Sequence, residues 1–255
     1  LMEAGHVPYF STKSLSDLGM DVKRVARFVA KNEADVWVVV AASREVLEWF
    51  AARPEPAIAL FGRMRKLVIA GAGLDMPTAC AAATRELIGL GHRRIVLVSP
   101  RMHRLPEPGA TDRACLDEME AHGIQTGPYN LPTWDENIQG FQNLLESLFR
   151  TTPPTALVVD GVPLFAALQQ FLGRRGIRAP EDVSLVSTDF DPGFAWCQPS
   201  IAHIRWDTRL VVRRIVRWVD HVAKGRRDLG QTFIPAEFVA GGSVGPVKKE
   251  GAISK

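Results

Sequence analysis

Short runs of apolar residues alternate with segments in which apolar residues recur every three or four positions along this chain of 255 residues. The runs have the length of buried strands, and the periodic segments have the spacing of amphipathic helices. The runs that predict strands are VPYFS (with the strand at 7–10), DVWVVVAAS, PAIALFG, KLVIAGAG, RRIVLVSP, TALVVD and VSLVS. The periodic segments predict helices at 20–32, around Phe50, and at 78–90, 112–121, 141–149, 164–175 and 207–225.

The strand runs lack the alternation of apolar and polar residues that a sheet with one solvated face shows. Their side chains must therefore be covered on both faces, which is typical of parallel sheets with helices on either side. The strands are too many for one compact open sheet, and the chain is longer than a common domain of about 100–200 residues. The sequence therefore predicts an α/β protein of two lobes.

The amino-acid composition excludes few classes of protein function. Hydrophobic residues make up 46% of the chain, and the net charge of +3 is too small to indicate a nucleic-acid surface by itself. Cys80, Cys115 and Cys197 are far apart and odd in number, which favours free thiols in a reducing cytosol. No apolar run approaches the ~20 residues of a membrane span, so no membrane partner is expected. The opening residues look like the end of a helix, and we expect the chain to begin partway through a βα unit.

Two carboxylates follow the run VSLVS, at Asp189 and Asp191. In open α/β sheets, ligands bind beyond the carboxyl ends of the strands, which would place Asp189 at a binding site. Aspartate also caps turns, and Asp191 precedes a proline. Both roles fit Asp189 equally well, while the turn role fits Asp191 better.

Motifs that would indicate catalysis are incomplete. The segment GAGLDMP lacks the third glycine of a dinucleotide-binding loop, and GGSVG has no histidine after its serine, as a nucleophile elbow would require. The six histidines show no metal-ligand spacing. We therefore expect no enzymatic activity, no metal and no cofactor.

Three long segments resemble the effector-binding region of the lactose-repressor/galactose-repressor family of transcription regulators. The features that carry the resemblance are a GHRRI strand entry, a PEDVS strand with an aspartate-rich end, and a PSIAHIR stretch followed by a long helix and a final strand with proline and glutamate. The match is spread over nearly all of residues 1–247. It implies two Rossmann-like lobes of the type I periplasmic-binding-protein fold, with a hinge and a ligand cleft between them.

The resemblance also implies the organisation of the chain. Residues 1–71 and 206–230 would form the first lobe, without the family's first strand. Residues 72–205 and 231–247 would form the second, and 248–255 a flexible tail.

The same resemblance implies a function and partners. The chain would be the sensor portion of a cytoplasmic bacterial transcription regulator, a homodimer that contacts operator DNA through an N-terminal domain absent from this chain. Dimerisation would involve the helix region 20–32 and helices of the second lobe. A solute-binding protein of a sugar transporter shares this fold, and an α/β enzyme is a third possibility.

The ligand residues are where the chain departs from the family. Positions at which the family carries sugar-hydroxyl partners are occupied here by Gly62, Thr111 and Gly161, although an aspartate is retained at Asp189. Three arginines follow strand runs, and arginine suits carboxylate or phosphate, so a sugar acid or sugar phosphate is expected in preference to a neutral sugar, unless those arginines lie on a solvated loop. An aromatic face is available either to stack on the ligand or to pack at the hinge. The predicted ligand-binding residues are Ser11, Ser43, Arg63, Arg101, Arg104, Asp160, Asp189 and Trp206.

Overall fold

The structure, a computed structural model, describes residues 1–248, which form two compact units of two stretches of chain each. Unit 1 comprises Leu1–Asp75 and Trp206–Pro235. Unit 2 comprises Met76–Arg205 and the described residues from Ala236 onward. The tail predicted at 248–255 lies outside the described residues except for its first residue.

Residues 1–248 contain eight α-helices and eight strands, which follow one another in mixed order. The helices are α1 (Val22–Val29), α2 (Arg44–Ala51), α3 (Met76–Gly89), α4 (Arg101–Arg104), α5 (Ala110–Ala121), α6 (Ile138–Thr151), α7 (Val162–Arg174) and α8 (Thr208–Ala223). The strands are β1 (Trp37–Val40), β2 (Ala57–Leu60), β3 (Ala70–Asp75), β4 (Ile95–Val98), β5 (Ala156–Val159), β6 (Ser184–Ser187), β7 (Ala202–Trp206) and β8 (Gln231–Val239). None of the helices in this part of the chain is both long enough and apolar enough to cross a membrane.

Unit 1 is built on a parallel sheet in the order β1-β2-β3-β8. Successive residues of a strand point to opposite faces of the sheet, so β2 packs against helices on both sides. Ile58 packs with Trp218 of α8 on one face, whereas Ala57 and Ala59 pack with residues of α1 and α2 on the other. Helices therefore cover both faces of this sheet.

Unit 2 repeats the arrangement with the parallel strands β4, β5, β6 and β7. Every residue of β4, β5 and β6 is buried. Along β4, Ile95 and Leu97 pack with residues of α3 and α5, and Val96 and Val98 pack with residues of α6 and α7. The predicted α/β class, with parallel sheets covered on both faces, is confirmed.

Helix α8 lies within the helix predicted at 207–225. Asp207 caps its first turn, and Val211 and Trp218 lie on its buried face. Arg214 is also buried, although arginine is an unusual residue for such a face. Its guanidinium group forms two hydrogen bonds with the Asp228 carboxylate, at 2.9 and 3.0 Å, which makes the burial of the charge tolerable.

Two local predictions are wrong. Residues 7–10 form no strand, and Val7 and Phe10 are almost fully exposed. A strand exists only where a neighbour accepts and donates its backbone hydrogen bonds, and the structure shows no such neighbour for this segment within residues 1–248. The loop expected after the RRIVLVSP strand contains the one-turn helix α4. Its start is set by Pro100, whose extended backbone precedes the first helical residue.

Candidate functional site

Three neighbouring strands of unit 2 are each followed by a polar residue. Ser99 follows β4, Asp160 follows β5, and Thr188 follows β6. Because the strands are parallel and adjacent, these residues lie at the same edge of the sheet, the edge at which α/β proteins bind ligands. The Thr188 hydroxyl donates a hydrogen bond to Asp160 Oδ1 at 2.9 Å, so two of the three are held together directly.

Asp160 has partners for both of its carboxylate oxygens. Besides the bond from Thr188, Asp160 Oδ2 lies 2.6 Å from Nδ1 of His103, a half-exposed residue of α4. The contact between His103 and Asp160 places a half-exposed imidazole at this edge of the sheet. It also fixes the orientation of the Asp160 carboxylate.

Helix α5 adds a second carboxylate, which is only half satisfied. The Ser99 hydroxyl donates to Asp112 Oδ1 at 2.6 Å. Asp112 is 5% exposed, and its Oδ2 atom is buried without a hydrogen-bond partner among the described residues. Burial raises the pKa of Asp112, and the charge of Asp160 raises it further, while the Ser99 hydroxyl, His103 and Arg104 act to lower it.

A third carboxylate, Asp189, follows Thr188 and is partly buried. Burial raises the pKa of Asp189, the charge of Asp160 adds to this, and His103 works in the opposite direction. Asp160 therefore interacts electrostatically with Asp112 and with Asp189, so three carboxylates share one region. Such a region favours ligands that donate hydrogen bonds or carry positive charge.

A cavity of about 80 Å³ lies at this edge of the unit 2 sheet. Among the residues of the described chain that line it, none is an arginine or a lysine. Its polar lining comes from Ser99, His103, Thr111, Asp112, Asp160 and Thr188, and its apolar lining from Met76, Cys80, Leu97, Cys115 and Val158. A hydrogen bond with Cys115 and burial together raise the pKa of Cys80 well above its usual range. The lining of the cavity thus combines hydrogen-bond acceptors with apolar side chains and two cysteines.

The structure brings together two of the predicted ligand residues, Asp160 and Asp189, and it places Arg104 differently from the prediction. Arg104 was expected to bind the ligand at the rim of the site, or else to lie on a solvated loop, but it is 4% exposed. Its guanidinium group donates to the backbone carbonyls of Ser99 at 2.8 Å and Trp134 at 3.1 Å and lies against the Trp134 ring. Helix α4 turns the side chain into the unit, so the solvated position is wrong, and a ligand role for Arg104 stays a prediction.

Arg101 is exposed at the first position of α4, where its backbone N–H donates to the Glu136 carboxylate. Asp191 accepts a hydrogen bond from the Gly193 amide at 2.7 Å and caps a 3-10 helix, Pro192–Trp196. The turn role favoured for Asp191 is confirmed.

The remaining predicted residues belong to unit 1. Ser11 is exposed and bonds to the backbone of Lys13. Ser43 caps α2, Arg63 is partly buried, and the Trp206 indole nitrogen is buried without a partner in the described chain. A ligand role for these residues stays a prediction.

Sequence reasoning missed Ser99 and Asp112. The signal for Ser99 was available, since it follows a strand run in the same way as Asp160. Asp112 offered no such signal, because it lies at the beginning of a helix, where aspartate ordinarily stabilises the first turn.

A scan against family models finds one match, to the periplasmic binding protein-like domain, over residues 84–244. None of the curated proteins matches the chain by sequence.

Solved structures with the same fold include several regulators. A LacI family transcriptional regulator from Enterococcus faecium with bound ribose is 19% identical, with a TM-score of 0.69 over 84% of this chain and 81% of that one. A LacI family regulator from Mycobacterium smegmatis is 22% identical, with a TM-score of 0.71 over 88% and 84%. The lac repressor dimer bound to operator and the anti-inducer ONPF is 19% identical, with a TM-score of 0.69 over 88% and 78%. These likenesses establish a shared fold.

Proposed function

Because this chain belongs to the periplasmic-binding-protein-like domain family, we propose that it is the sensor portion of a transcription regulator and that its effector is a sugar or a sugar derivative. The cavity of unit 2 would bind part of that effector. Binding would act by favouring one conformational state over another, which requires different affinities for the two states.

The observation that carries this proposal is the set of hydrogen-bonding groups at the edge of the unit 2 sheet. Asp112, Asp160 and Thr188 line a small cavity together with apolar residues such as Met76 and Val158. Sugars combine hydroxyl donors with apolar C–H faces, and binding sites for small molecules pair a few placed polar groups with apolar walls in this way. A regulator with this fold was solved with bound ribose, which supports the same class of ligand.

The regulator is preferred over a transport protein because the three similar structures described above are regulators, one of them a dimer bound to operator DNA. A homodimer that contacts operator DNA through a further N-terminal domain is part of the proposal. Deleting the gene separates the two roles. A regulator would change transcript levels of other genes, whereas a solute-binding protein would be needed for uptake of labelled ligand.

An enzymatic role finds little support in the cavity. His103 and Asp160 form an acid–base pair, but the hydroxyls of Ser99 and Thr188 donate to carboxylates rather than to the imidazole. Cysteines also line the cavity. The raised pKa of Cys80 keeps its thiol protonated and therefore weakly nucleophilic.

A thermal-shift screen of neutral sugars, amino sugars, sugar acids and sugar phosphates tests the proposal on the 255-residue chain. A ligand present at about 100 times its Kd stabilises the folded protein by about 2.7 kcal/mol. Asp160→Asn should weaken the binding of any hit about tenfold or more, since a hydrogen bond to a charged group contributes about 1.5–3 kcal/mol.

Asp117→Asn is the matched control, because Asp117 has the same charge but lies on the exposed face of α5. If no sugar of any class shifts the melting temperature, the proposed sugar effector is wrong. If a sugar binds equally well to both variants, it binds elsewhere.

A further inference from the structure

We propose that the cavity of unit 2 selects an effector with a primary ammonium group, and that this group binds Asp112. The inference rests on the proposed sugar-sensing function and names the ligand class more closely, as an amino sugar. It reverses the expectation from the sequence that the effector is an anion.

The first step is the hydrogen-bond inventory of Asp112. One carboxylate oxygen accepts from Ser99, but Oδ2 is buried and has no partner in the described chain, and Asp112 is one of the residues that line the cavity. Leaving a buried charged acceptor unpaired costs more free energy than leaving a neutral one unpaired. A ligand that donates a hydrogen bond to Oδ2 would recover that free energy. The unpaired oxygen therefore favours ligand binding, although it lowers the stability of the ligand-free protein.

The second step concerns charge. Asp160 interacts unfavourably with both Asp112 and Asp189, and the cationic groups that face them are Arg104 and, when protonated, His103. Arg104 already donates to two backbone carbonyls. The carboxylates therefore outnumber the cations. A hydroxyl ligand would supply only a hydrogen bond, whereas an ammonium group would also relieve the repulsion among the carboxylates.

The third step concerns what the cavity rejects. A phosphate or carboxylate in the cavity would face Asp112 and Asp160 without an arginine or lysine among the lining residues of the described chain. Placing like charges together in a partly buried site is unfavourable and therefore selects against anionic ligands. The volume of about 80 Å³ admits only a few non-hydrogen atoms, so the ammonium group and its carbon would enter while the rest of the effector stays outside the cavity.

The experiment compares ligands that differ in one group. Isothermal titration at slightly acidic pH, where sugar amines carry a proton, would use glucose, glucosamine, N-acetylglucosamine and glucose 6-phosphate, and the corresponding galactose and mannose series. On at least one scaffold the amine should bind about tenfold or more tightly than the neutral sugar. The N-acetyl derivative, which keeps the nitrogen but loses the charge, should lose this advantage, and the phosphate should bind no better than the neutral sugar.

Asp112→Asn assigns the selectivity to a residue. The variant should reduce affinity for the amine about tenfold more than affinity for the neutral sugar, so that the preference for the amine is lost, while Asp117→Asn should change neither affinity. If the neutral sugar binds as tightly as its amine, or if Asp112→Asn leaves the preference intact, the inference is overturned and the sugar-sensing function stands. If no ligand of any series binds, the proposed function fails as well. Should the variant not fold, the comparison of the amine with its N-acetyl derivative on the unchanged chain still decides the selectivity.

Discussion

At the scale of single residues, Asp112 has an environment that stability alone does not explain. Its side chain is almost completely buried, and only one of its two oxygens has a partner in the described chain. Residues held in unfavourable environments cluster at functional sites, where the surrounding structure tolerates their cost. The ligand-free protein is therefore expected to bear a free-energy cost at this position.

Removing the charge of Asp112 should stabilise the ligand-free protein. Asp112→Asn keeps an acceptor for the Ser99 hydroxyl and removes the unpaired negative charge, so we expect a gain of about 1 kcal/mol in the free energy of unfolding. For a chain of this size the melting temperature would rise by about 2–4 °C, which differential scanning calorimetry measures directly.

The pH dependence provides the internal check on that result. Because burial raises the pKa of Asp112 in the folded state, the native protein binds a proton more tightly than the unfolded chain. Stability of the ligand-free protein should then fall as pH rises from the ordinary aspartate pKa through the raised one. Asp112→Asn should make that fall shallower, and Asp189, whose pKa is also raised, should retain part of it. A loss of stability in Asp112→Asn at neutral pH would show that the carboxylate is satisfied in the folded protein.

Position in the sequence predicted some residues of the site and not others. Asp160 and Asp189 could be found because the carboxyl end of a buried strand can be read from an apolar run and its last residue. The burial of Arg104 depends on the direction of a one-turn helix and on two backbone carbonyls that accept its hydrogen bonds. One of these acceptors, the Trp134 carbonyl, lies in a chain segment distant in sequence. The local sequence around Arg104 therefore does not predict this hydrogen bond.

At the scale of helices and strands, α8 shows which buried positions the spacing of apolar residues predicts and which it does not. The buried positions of Val211 and Trp218 follow from their spacing. Arg214 occupies the same face because Asp228, in the segment that follows the helix, supplies a carboxylate there. Burial works to raise the pKa of Asp228, but the hydrogen bonds from Arg214 and the Gly230 amide, with the neighbouring His221, outweigh it and lower that pKa.

Breaking this pair should destabilise unit 1. Arg214→Ala removes two hydrogen bonds to Asp228 and one to the Gly230 carbonyl. It leaves a partly buried carboxylate with only the Gly230 amide and the neighbouring His221 as partners in the described chain. We expect a loss of about 3 kcal/mol in the free energy of unfolding, measured by urea denaturation. Since the lowered pKa of Asp228 contributes stability only above the ordinary aspartate pKa, the difference between the two proteins should shrink as the solution is acidified.

Arg213→Ala is the control for that measurement, because Arg213 is the neighbouring arginine on the same helix and its side chain is exposed. It should change stability by no more than about 0.5 kcal/mol. Equal effects of the two substitutions would mean that helix propensity, rather than the buried ion pair, accounts for the loss.

At the scale of the whole molecule, the parallel α/β architecture was readable because entire strands of unit 2, such as β4 and β5, are apolar without interruption. The chemical class of the ligand could not be predicted from the pattern of apolar residues. The expectation of an anion rested on three arginines that follow strand runs, whereas the cavity of unit 2 is lined by carboxylates. Charge in a site depends on which side chains point inward, and that is decided by packing rather than by order along the chain.

The resemblance to repressors predicts a homodimer that uses α1, and the structure offers a specific way to test it. The exposed face of α1 carries Lys23, Arg24 and Arg27, while Val25 and Val29 are buried within unit 1. Arginine is enriched in protein interfaces, where it pairs with acidic groups of the partner. Sedimentation velocity at micromolar concentration should therefore show a species of twice the monomer mass.

Reversing two of those charges should dissociate the dimer without unfolding the chain. Arg24→Glu combined with Arg27→Glu leaves the buried face of α1 intact and places like charges against any acidic partner surface, which costs several kcal/mol at an interface. The same double reversal at Arg226 and Arg227, two exposed residues after α8, provides a control of equal net charge that should stay dimeric. A monomer for the unchanged chain would refute dimerisation through this surface. A dimer that survives the α1 reversal would place the interface on another face, because the contact would then be indifferent to the charge of this helix.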